Sequence, residues 1–533
     1  MSEAREAVSR TRVRRRSAAV AVAGLASALL AVPAADARPR AGGSSEAGCE
    51  WAMYGRDVAR TFDADGAGDC GRTLDAANAP TLVPAWFFKT PKTVTASPVV
   101  RDGRVFVGDW TGTMFALDAD DGTLLWSQAT EPAPGAPFGP IVSSAAVAPN
   151  REGRDLVVVG AGPRLYAFDA ETGAVEWVSY FGSGAADPAL GLPDDHPEDE
   201  ETEIESSPVV HDGVVFVGMD VHNRRVDAPN GYGMRGGVLA VDLDDGSLIN
   251  RFDPEWDFVD AGGNRLSGCS SVWSSPALNL QDDLLYFATG NCPHGYPAEQ
   301  WGRHVEAVSA IDLTDFVRGK RESKVVRWTF TPEPGNQKDH DFGATPNLFV
   351  DEDGRRILGI GKKDGVYYAL DPMTGALLWS TKVADTIQPQ RNFDVGGFIG
   401  STATGGGDVF GATALGGAPW YHALDGRSGA REWAGLAGPS YAASAHSRGV
   451  VVAGALDSTM KVFDAETGVP LYVAALAGPV SSAPAIVGDR VFIGSGTASS
   501  DLCAKDAPGS EACFLAFDET LGATGGVHAF RLA

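Results

Sequence analysis

The stretch YAFDAETGAVEW, residues 166–177, decides the fold, because close variants of it recur along the chain. Each copy is a short apolar run that ends in Asp, followed by a turn that usually contains Gly and often by Trp eight positions after the Asp. The Asp side chain can accept hydrogen bonds from the turn backbone and Gly can adopt positive φ, so the pattern predicts a tight turn between two strands. The aspartates of the eight copies are Asp118, Asp169, Asp242, Asp312, Asp371, Asp425, Asp464 and Asp518.

A second repeating piece precedes most copies, as in SPVVRDGRVFVGD at residues 97–109 and SPVVHDGVVFVGM at residues 207–219. Two short apolar runs around Asp-Gly predict a β-hairpin. Each unit therefore predicts four antiparallel strands, and such units in radial series form a β-propeller. Eight units predict an all-β, eight-bladed β-propeller over residues 48–533. We expect the last strand to close the ring with the N-terminal segment around Trp51.

The recurring Trp and Asp residues are expected to serve packing and turns rather than chemistry, since a repeated aromatic residue in a strand is usually buried. They mark the blades and predict no site. The tryptophans that stand eight positions after the Asp are Trp126, Trp177, Trp379 and Trp433.

The first 37 residues have the composition of a signal peptide. The basic segment RVRRR at 12–16 precedes the apolar stretch AAVAVAGLASALLAVPA, and Ala-Asp-Ala at 35–37 offers small residues at a cleavage site. We therefore predict a signal peptide at 1–37, a short linker at 38–47 and an exported protein, through either the general secretory or the twin-arginine route. An uncleaved anchor is the alternative. No other stretch is long and apolar enough to span a membrane, so none is predicted in the mature chain.

Six cysteines and a strong negative charge further limit the compartment and the partners that the protein can have. In an oxidising compartment an even number of cysteines favours disulfides, and here they fall into couples close in sequence. The chain has no Cys-x-x-Cys-His motif and so predicts no c-type haem of its own. A net charge of −26 argues against nucleic acid or anionic membrane as a partner. The predicted couples are Cys49–Cys70, Cys269–Cys292 and Cys503–Cys513.

The unit Ala-x-Asp-x-x-Thr-Gly-x-x-x-Trp resembles the tryptophan-docking repeat of dehydrogenases that use pyrroloquinoline quinone (PQQ), which share an eight-bladed propeller. The segment CEWAMYGRDVARTF at 49–62 is similar to the start of those propellers. The segments DHDFGATPNLF at 339–349 and GVYYALDPMTG at 365–375 resemble the polyvinyl-alcohol dehydrogenase branch. The resemblance covers nearly all of the chain after the signal peptide. It implies oxidation of an alcohol by PQQ with Ca²⁺, and an external electron acceptor such as a soluble cytochrome.

The same resemblance assigns a cofactor platform. In the family a tryptophan lies under the flat quinone and the asparagine of a Thr-Gly-Asn segment binds calcium; here these positions are Trp273 and Asn291, 18 positions apart. A large aromatic face suits a flat ring system, and an amide oxygen suits a hard cation. Arg235, followed by Gly236, matches an Arg-Gly pair near the cofactor in the family.

The resemblance also assigns the chemistry to one acidic segment and one lysine. Asp339 and Asp341 are the candidates for the base that takes the proton from the substrate hydroxyl, while hydride passes to the quinone. Their spacing of two places them on the same side of an extended segment. Lys363 stands where the family has a basic residue close to the quinone oxygens, and calcium would act as a Lewis acid on the quinone carbonyl.

Two departures from the family pattern, a changed calcium ligand and a missing disulfide, support a second interpretation. The family's glutamate ligand for calcium falls at Asn223, so Asp220 is the nearby carboxylate that would replace it. The pair of adjacent cysteines that often covers the quinone is absent. The acidic run DDHPEDEETEIE at 194–205 predicts a solvated loop. The alternative function is a non-catalytic propeller that acts as a scaffold or binds a ligand. The substrate, whether a primary, secondary or polymeric alcohol, is left open.

Overall fold

The computed structural model of the protein describes eleven stretches of the chain and no ligand. The predicted signal peptide and linker lie outside them. The described residues are 49–65, 70–131, 139–182, 202–221, 236–256, 269–291, 304–335, 338–390, 393–414, 417–496 and 525–533.

The described residues form eight four-stranded antiparallel blades, which confirms the predicted fold class. Strand β1 (Leu82–Lys89) belongs to blade 8. The strands of blades 1 to 4 are, in turn, β2 (Val99–Arg101), β3 (Arg104–Gly108), β4 (Thr113–Asp118), β5 (Leu124–Ala129); β6 (Ala146–Pro149), β7 (Asp155–Ala161), β8 (Arg164–Asp169), β9 (Val175–Tyr180); β10 (Thr202–Glu203), β11 (Val209–His211), β12 (Val214–Val221), β13 (Gly237–Asp242), β14 (Leu248–Phe252); β15 (Ala277–Asn279), β16 (Leu284–Ala288), β17 (Val308–Asp312), β18 (Val326–Phe330). Strand β10 is an addition to blade 3 that pairs with β12.

Blades 5 to 8 repeat the same order of strands, with a separate hairpin, β23–β24, between blades 5 and 6. Their strands are β19 (Asn347–Val350), β20 (Arg356–Gly361), β21 (Val366–Leu370), β22 (Leu377–Lys382); β23 (Thr386–Gln390), β24 (Phe393–Gly396); β25 (Ala403–Gly405), β26 (Asp408–Ala412), β27 (Tyr421–Asp425), β28 (Arg431–Gly435); β29 (Ala445–Ser447), β30 (Val450–Ala455), β31 (Thr459–Asp464), β32 (Pro470–Ala475); β33 (Ala485–Val487), β34 (Arg490–Ser495), β35 (Gly526–Leu532). A short 3-10 helix, Ala79–Thr81, precedes β1.

The first strands of the blades form the inner ring. Neighbouring first strands contact each other, and β33 of blade 8 contacts β2 of blade 1. Blade 8 takes its outer strand from the N-terminal side of the chain, because β1 pairs with β35 from Leu82–Leu532 to Lys89–Gly526. The prediction that the ring closes with strands from both ends of the chain was right in kind, but the segment around Trp51 is not the closing strand.

Among the described residues, six of the eight blades are each fastened to the next by a tryptophan that lies over a turn. The indole Nε1 of Trp126 donates to the carbonyl oxygen of Ala170 at 3.1 Å, and a Cβ on Gly173 would lie 2.6 Å from the indole Cδ2. Glycine at that turn therefore has a steric reason in addition to its φ of 74°. The tryptophans that donate to the adjoining blade in this way are Trp86, Trp126, Trp177, Trp328, Trp379 and Trp433.

The turn aspartates have the predicted role where the structure describes them. Asp169 Oδ1 accepts from both the backbone N–H and the hydroxyl of Thr172, at 2.8 and 2.7 Å. In blade 4 the turn is replaced by two short helices, α1 (Leu313–Val317) and α2 (Glu322–Val325), and Asp312 caps α1 instead. This insertion moves the docking tryptophan to Trp328, so the fixed spacing missed it. Asp518 lies outside the described residues.

A segment ahead of β1, residues 49–65 and 70–74, lies inside the ring of first strands; we call it the axial loop. Its backbone bonds to the first strands of six blades and to the β33–β34 turn of blade 8. In chain order the carbonyl or amide partners are Trp51 with Val100, Ala52 with Val147, Val58 with Leu278, Ala59 with Leu348, Thr61 with Thr404, Phe62 with His446 and Leu74 with Gly488, at 2.7–3.1 Å.

Arg60 supplies the remaining link, to blade 3. Its guanidinium is fully buried and donates to the carbonyl oxygens of Ser207, Pro276 and Tyr54. Burial lowers the pKa of Arg60 to about 10. A disulfide between Cys49 and Cys70 closes the axial loop upon itself, as predicted from the sequence.

Cys269 is also disulfide-bonded. Its predicted partner Cys292, and both members of the couple Cys503–Cys513, lie outside the described residues. Among the described residues no helix is long and apolar enough to cross a membrane.

Candidate active site

Trp273 stands in the segment that leads into β15, and it differs from the docking tryptophans. Its neighbour Val272 donates its N–H to the carbonyl oxygen of Met219 at 3.0 Å, which ties the segment to blade 3. Trp273 is only half-buried, whereas Trp126 and Trp177 are buried. The ring packs edge-on against Gly343, where a Cβ would lie 2.3 Å from Cη2. Glycine at 343 therefore lets the segment that carries the acidic residues lie directly against the indole.

Asp339, Asp341 and Lys363 meet beside this ring. The Lys363 Nζ lies 3.0 Å from Asp339 Oδ1 and 2.8 Å from Asp341 Oδ2, and 5.0 Å from the centroid of Trp273. Both aspartates are buried. Lys363 follows β20, and its N–H donates to the carbonyl oxygen of Asp341 at 3.0 Å, so backbone and side chain hold the pair together. Asp339 and Asp341 are two positions apart, and both carboxylates lie on the same side of their segment, as predicted.

The electrostatics of the cluster follow from burial and from the shared cation. Burial raises the pKa of Asp339 to about 6; Lys363 opposes this shift and the neighbouring Asp341 adds to it. Burial on its own would lower the pKa of Lys363, but the two carboxylates raise it above its ordinary value. A lysine that stays protonated is consequently fixed beside a carboxyl group that can change its charge near neutral pH.

Asn291 adjoins this cluster. The backbone N–H of Asn291 donates to Asp341 Oδ1 at 2.6 Å, and Gly290 donates to the carbonyl oxygen of Ser271 at 2.8 Å. The Thr-Gly-Asn segment after β16 is therefore held between the segment of Trp273 and that of Asp341. The structure brings together five residues predicted from the sequence: Trp273, Asn291, Asp339, Asp341 and Lys363.

Blade 3 contributes two buried carboxylates. Asp220 on β12 is the register partner of Glu203 on β10, and they are 3% and 1% exposed. Asp220 follows Met219, whose carbonyl oxygen holds the segment of Trp273, so these carboxylates lie at the same edge of the ring as the cluster. Arg235 and Asn223 lie outside the described residues.

The burial of Glu203 corrects one expectation. The whole run at 194–205 was predicted to be a solvated loop, yet its end forms β10 and Glu203 is buried. The β-branched residues Thr202 and Ile204 favour a strand here, but the burial of Glu203 follows from the pairing of β10 with β12 and had no signal in the sequence. Residues 194–201 lie outside the described residues.

A second missed group lies behind the acidic segment. Glu306 and Lys362 are 2% and 0% exposed, with Lys362 Nζ 3.5 Å from Glu306 Oε2. The sequence signal was the pair of adjacent lysines in GIGKKDG, because neighbours along an extended segment point to opposite sides and only one of them can face the cluster.

Comparison with known proteins identifies the family of the propeller. A family model described as the β-propeller domain of glucose, ethanol and alcohol dehydrogenases, the PQQ family, matches residues 69–396. The chain belongs to the PQQ β-propeller family. A second model of PQQ type, described as outer membrane protein assembly factor BamB, matches residues 328–512. The resemblance inferred from the repeats is therefore confirmed.

Relatives of this PQQ propeller include a quinohemoprotein alcohol dehydrogenase and polyvinylalcohol dehydrogenases, the two kinds of enzyme that the sequence resembles. It is 29% identical over 373 residues to quinohemoprotein alcohol dehydrogenase ADH IIB of Pseudomonas putida, covering 64% of this chain and 48% of the relative. It is 26% identical over 454 residues to a polyvinylalcohol dehydrogenase of Pseudomonas sp, covering 75% and 64%. The chain thus spans about half the length of the first relative and under two thirds of the second.

Solved structures with the same fold include dehydrogenases. A europium-containing methanol dehydrogenase superposes with a TM-score of 0.69 at 18% identity, covering 92% of this chain and 99% of the other. The quinohemoprotein alcohol dehydrogenase of Comamonas testosteroni superposes with a TM-score of 0.66 at 18% identity, covering 91% and 80%. At these identities the similarity establishes the eight-bladed fold.

Proposed function

We propose that this PQQ propeller is a dehydrogenase that oxidises an alcohol with bound PQQ and a divalent metal ion, for which Ca²⁺ is our expectation. The observation that carries the proposal is the ammonium of Lys363 shared by two buried carboxylates beside Trp273. Burying three ionisable groups together carries a desolvation penalty, and the docking tryptophans already fasten the blades without them. A reactive site would explain why this cluster is buried, whereas the packing of the blades does not require it.

The residues present fit a flat anionic quinone. Trp273 is half-buried and takes no part in blade docking, so part of the ring is left to a ligand. Lys363 supplies positive charge within 5.0 Å of the ring centroid. Trp273 and Lys363 would hold PQQ, with Arg235 as a further predicted contact. Bound PQQ would supply a two-electron acceptor for the hydride.

The residues at the metal position offer oxygen atoms. The amide of Asn291 and the carboxylate of Asp220 are the described candidates, with Glu203 as the register partner of Asp220. Oxygen donors of this kind suit a hard cation such as Ca²⁺. Asn223 remains a predicted ligand.

The proton from the alcohol would pass to Asp339 or Asp341. Asp341 is held by two donors, the Lys363 ammonium and the N–H of Asn291. Asp339 accepts from the same ammonium, and its pKa of about 6 suits a group that takes up a proton near neutral pH. Lys363 would keep both carboxylates in place and offset negative charge that develops beside it.

We further propose that the protein is exported and passes electrons to an external acceptor. The basic and apolar pattern of residues 1–37 supports export. A net charge of −26 suits a basic redox protein as acceptor. The substrate class includes polymeric alcohols, because two relatives are named polyvinylalcohol dehydrogenases.

The test is to mix the purified protein with PQQ and Ca²⁺, then measure quinone binding and alcohol-dependent reduction of an artificial dye. Trp273→Ala should weaken quinone binding by about 1–3 kcal/mol, the contribution of a stacked aromatic partner. Trp126→Phe is the control, since Trp126 lies in a blade interface. No quinone binding by the wild type at any calcium concentration would reject the proposal and leave the scaffold interpretation, which the match at residues 328–512 would then favour.

A further inference from the structure

Two adjacent lysines hold the acidic segment from opposite sides. Lys363 faces Asp339 and Asp341, whereas Lys362 is fully buried on the other side of the segment. Lys362 Nζ lies 3.5 Å from Glu306 Oε2, and it also lies 5.6 Å from the centroid of the Phe342 ring. Its other carboxylate neighbours, both at 3.4 Å, are Glu333 and Asp364.

Glu306 joins two parts of the proposed site. Its backbone N–H donates to the carbonyl oxygen of Gly290 at 3.1 Å, next to Asn291. Its side-chain Oε1 accepts the backbone N–H of His340 at 2.9 Å. His340 lies between Asp339 and Asp341, so the carboxylate of Glu306 fixes the peptide from which both catalytic candidates project.

The backbone of Glu306 shows that the side chain is needed at this position. Glu306 has a φ of 47°, in the left-handed region that favours glycine. Non-glycine residues held there carry strain, and such strain is concentrated at functional sites. Glycine would relieve that strain, but it would leave the N–H of His340 without this acceptor. Burial raises the pKa of Glu306 to about 8, against the effect of Lys362, so an ionisable side chain is kept here in an unfavourable setting.

We propose that Glu306, held by Lys362, is a positioning residue for the reaction: it sets the orientation of Asp339 and Asp341 toward Lys363 and ties them to the Thr-Gly-Asn segment. This inference rests on the proposed function. Glu306 acts through the backbone N–H of His340, which its side chain accepts. Placement errors of about 1 Å at a reacting group can lower turnover about 10²-fold, so such a residue can affect the rate strongly.

Two conservative variants distinguish the effect of the length of the Glu306 side chain from the effect of its charge. Glu306→Gln keeps an oxygen at the distance that accepts the N–H of His340 but removes the charge, and Lys362 retains its two other carboxylates. Glu306→Asp keeps the charge but is one methylene too short to reach His340. Positioning predicts that Glu306→Asp lowers kcat by about tenfold to a hundredfold with KM and quinone affinity nearly unchanged, and that Glu306→Gln stays within about threefold of wild type.

Asp408→Asn serves as the control, because Asp408 is a partly buried carboxylate on β26 of blade 6. It should leave kcat unchanged. A larger loss of kcat in Glu306→Gln than in Glu306→Asp would overturn the proposal, since charge and not reach would then matter. A loss of kcat in Glu306→Asp that merely follows the fraction of folded protein would overturn it as well.

Crystal structures of the two variants test the positioning without any turnover. In Glu306→Asp we expect the Lys363 Nζ to separate from Asp339 or Asp341 beyond hydrogen-bond distance, and in Glu306→Gln we expect both contacts to be retained. Unchanged contacts in Glu306→Asp would contradict the proposal. If the wild-type protein neither binds PQQ nor oxidises alcohols, the proposed function fails, while these distances still decide whether Glu306 orients the acidic segment.

Discussion

At the scale of single residues, the site depends on how Asp339 and Asp341 share the ammonium group of Lys363. Asp341 also accepts the N–H of Asn291, so it is fixed from two directions. Burial raises the pKa of Asp339 to about 6, so Asp339 is the first candidate for the base. This assignment can be tested through the pH dependence of turnover.

We predict that the rate of alcohol oxidation rises as the pH increases through about 6. The base must be ionised to accept a proton, and the pKa of Asp339 is raised to about 6 by burial, with Lys363 opposing the shift and Asp341 adding to it. Below that pH the carboxyl group is protonated and the rate falls. Steady-state kinetics between about pH 4 and about pH 8, two units on either side of this value, would measure this rising limb of the pH profile.

Asp339→Asn should remove this limb and lower kcat by about 10²-fold, the contribution of a general base, with quinone binding nearly intact. The matched variant is Asp341→Asn. If that variant and not Asp339→Asn removes the limb while keeping quinone binding, the base is Asp341 and the mechanism is otherwise unchanged. A flat profile in the wild type would mean that neither aspartate is the base.

At the scale of the structural element, the repeating unit is a tryptophan and a turn from successive blades. Gly173 in the turn after β8 packs against Trp126 of the preceding blade, and Gly246 packs against Trp177 in the same manner. The glycine turn that recurs in the sequence is therefore also part of the interface between two blades. A side chain at such a glycine should weaken an interface between blades and not just a local turn.

We predict that Gly173→Ala destabilises the protein by about 1–3 kcal/mol more than Gly213→Ala, the usual penalty for overpacking. Both glycines have a φ of 74°, so the backbone strain is matched, but a Cβ at Gly213 meets nothing within 4 Å. The free energies of unfolding from urea titrations would measure the difference. Equal values for the two variants would show that the contact with Trp126 contributes little.

The sequence predicted the features that repeat and missed those that depend on a single long-range pairing. The spacing of Asp and Trp identified eight blades, and the resemblance placed Trp273, Asn291 and Lys363 in one cluster. Burial of Glu203 depends on β10 pairing with β12, and the role of Glu306 depends on His340 coming beside it. No periodic pattern carries such information, because each of these contacts occurs once in the chain.

At the scale of the whole molecule, the axial loop connects all eight blades. It bonds to the first strands or adjoining turns of blades 1, 2 and 4 to 8 through its backbone and to blade 3 through Arg60. Three of its residues other than glycine, Arg56, Arg60 and Phe62, have positive φ. A segment with such an unfavourable backbone keeps its path because surrounding strands and the disulfide Cys49–Cys70 restrain it.

We predict that replacing both cysteines, Cys49→Ser with Cys70→Ser, lowers the free energy of unfolding by about 2–4 kcal/mol, as expected for loss of a disulfide that restricts the unfolded chain. Limited trypsin digestion should then cut the axial loop at its arginines earlier than in the wild type. Unchanged stability and unchanged digestion would show that the contacts with the blades restrain the loop by themselves.

The axial loop has a consequence for the order in which the protein can fold during synthesis. The loop and β1 are made before the blades, yet the loop's partners are spread over all eight blades and β1 pairs with β35. The axial loop and β1 therefore cannot complete their native contacts until β35 has been synthesised. Contacts between residues so distant in sequence form slowly, and unpaired strand edges are prone to aggregate in the meantime. Completion of this ring should accordingly depend on the synthesis of β35 more than on the rate at which single blades form.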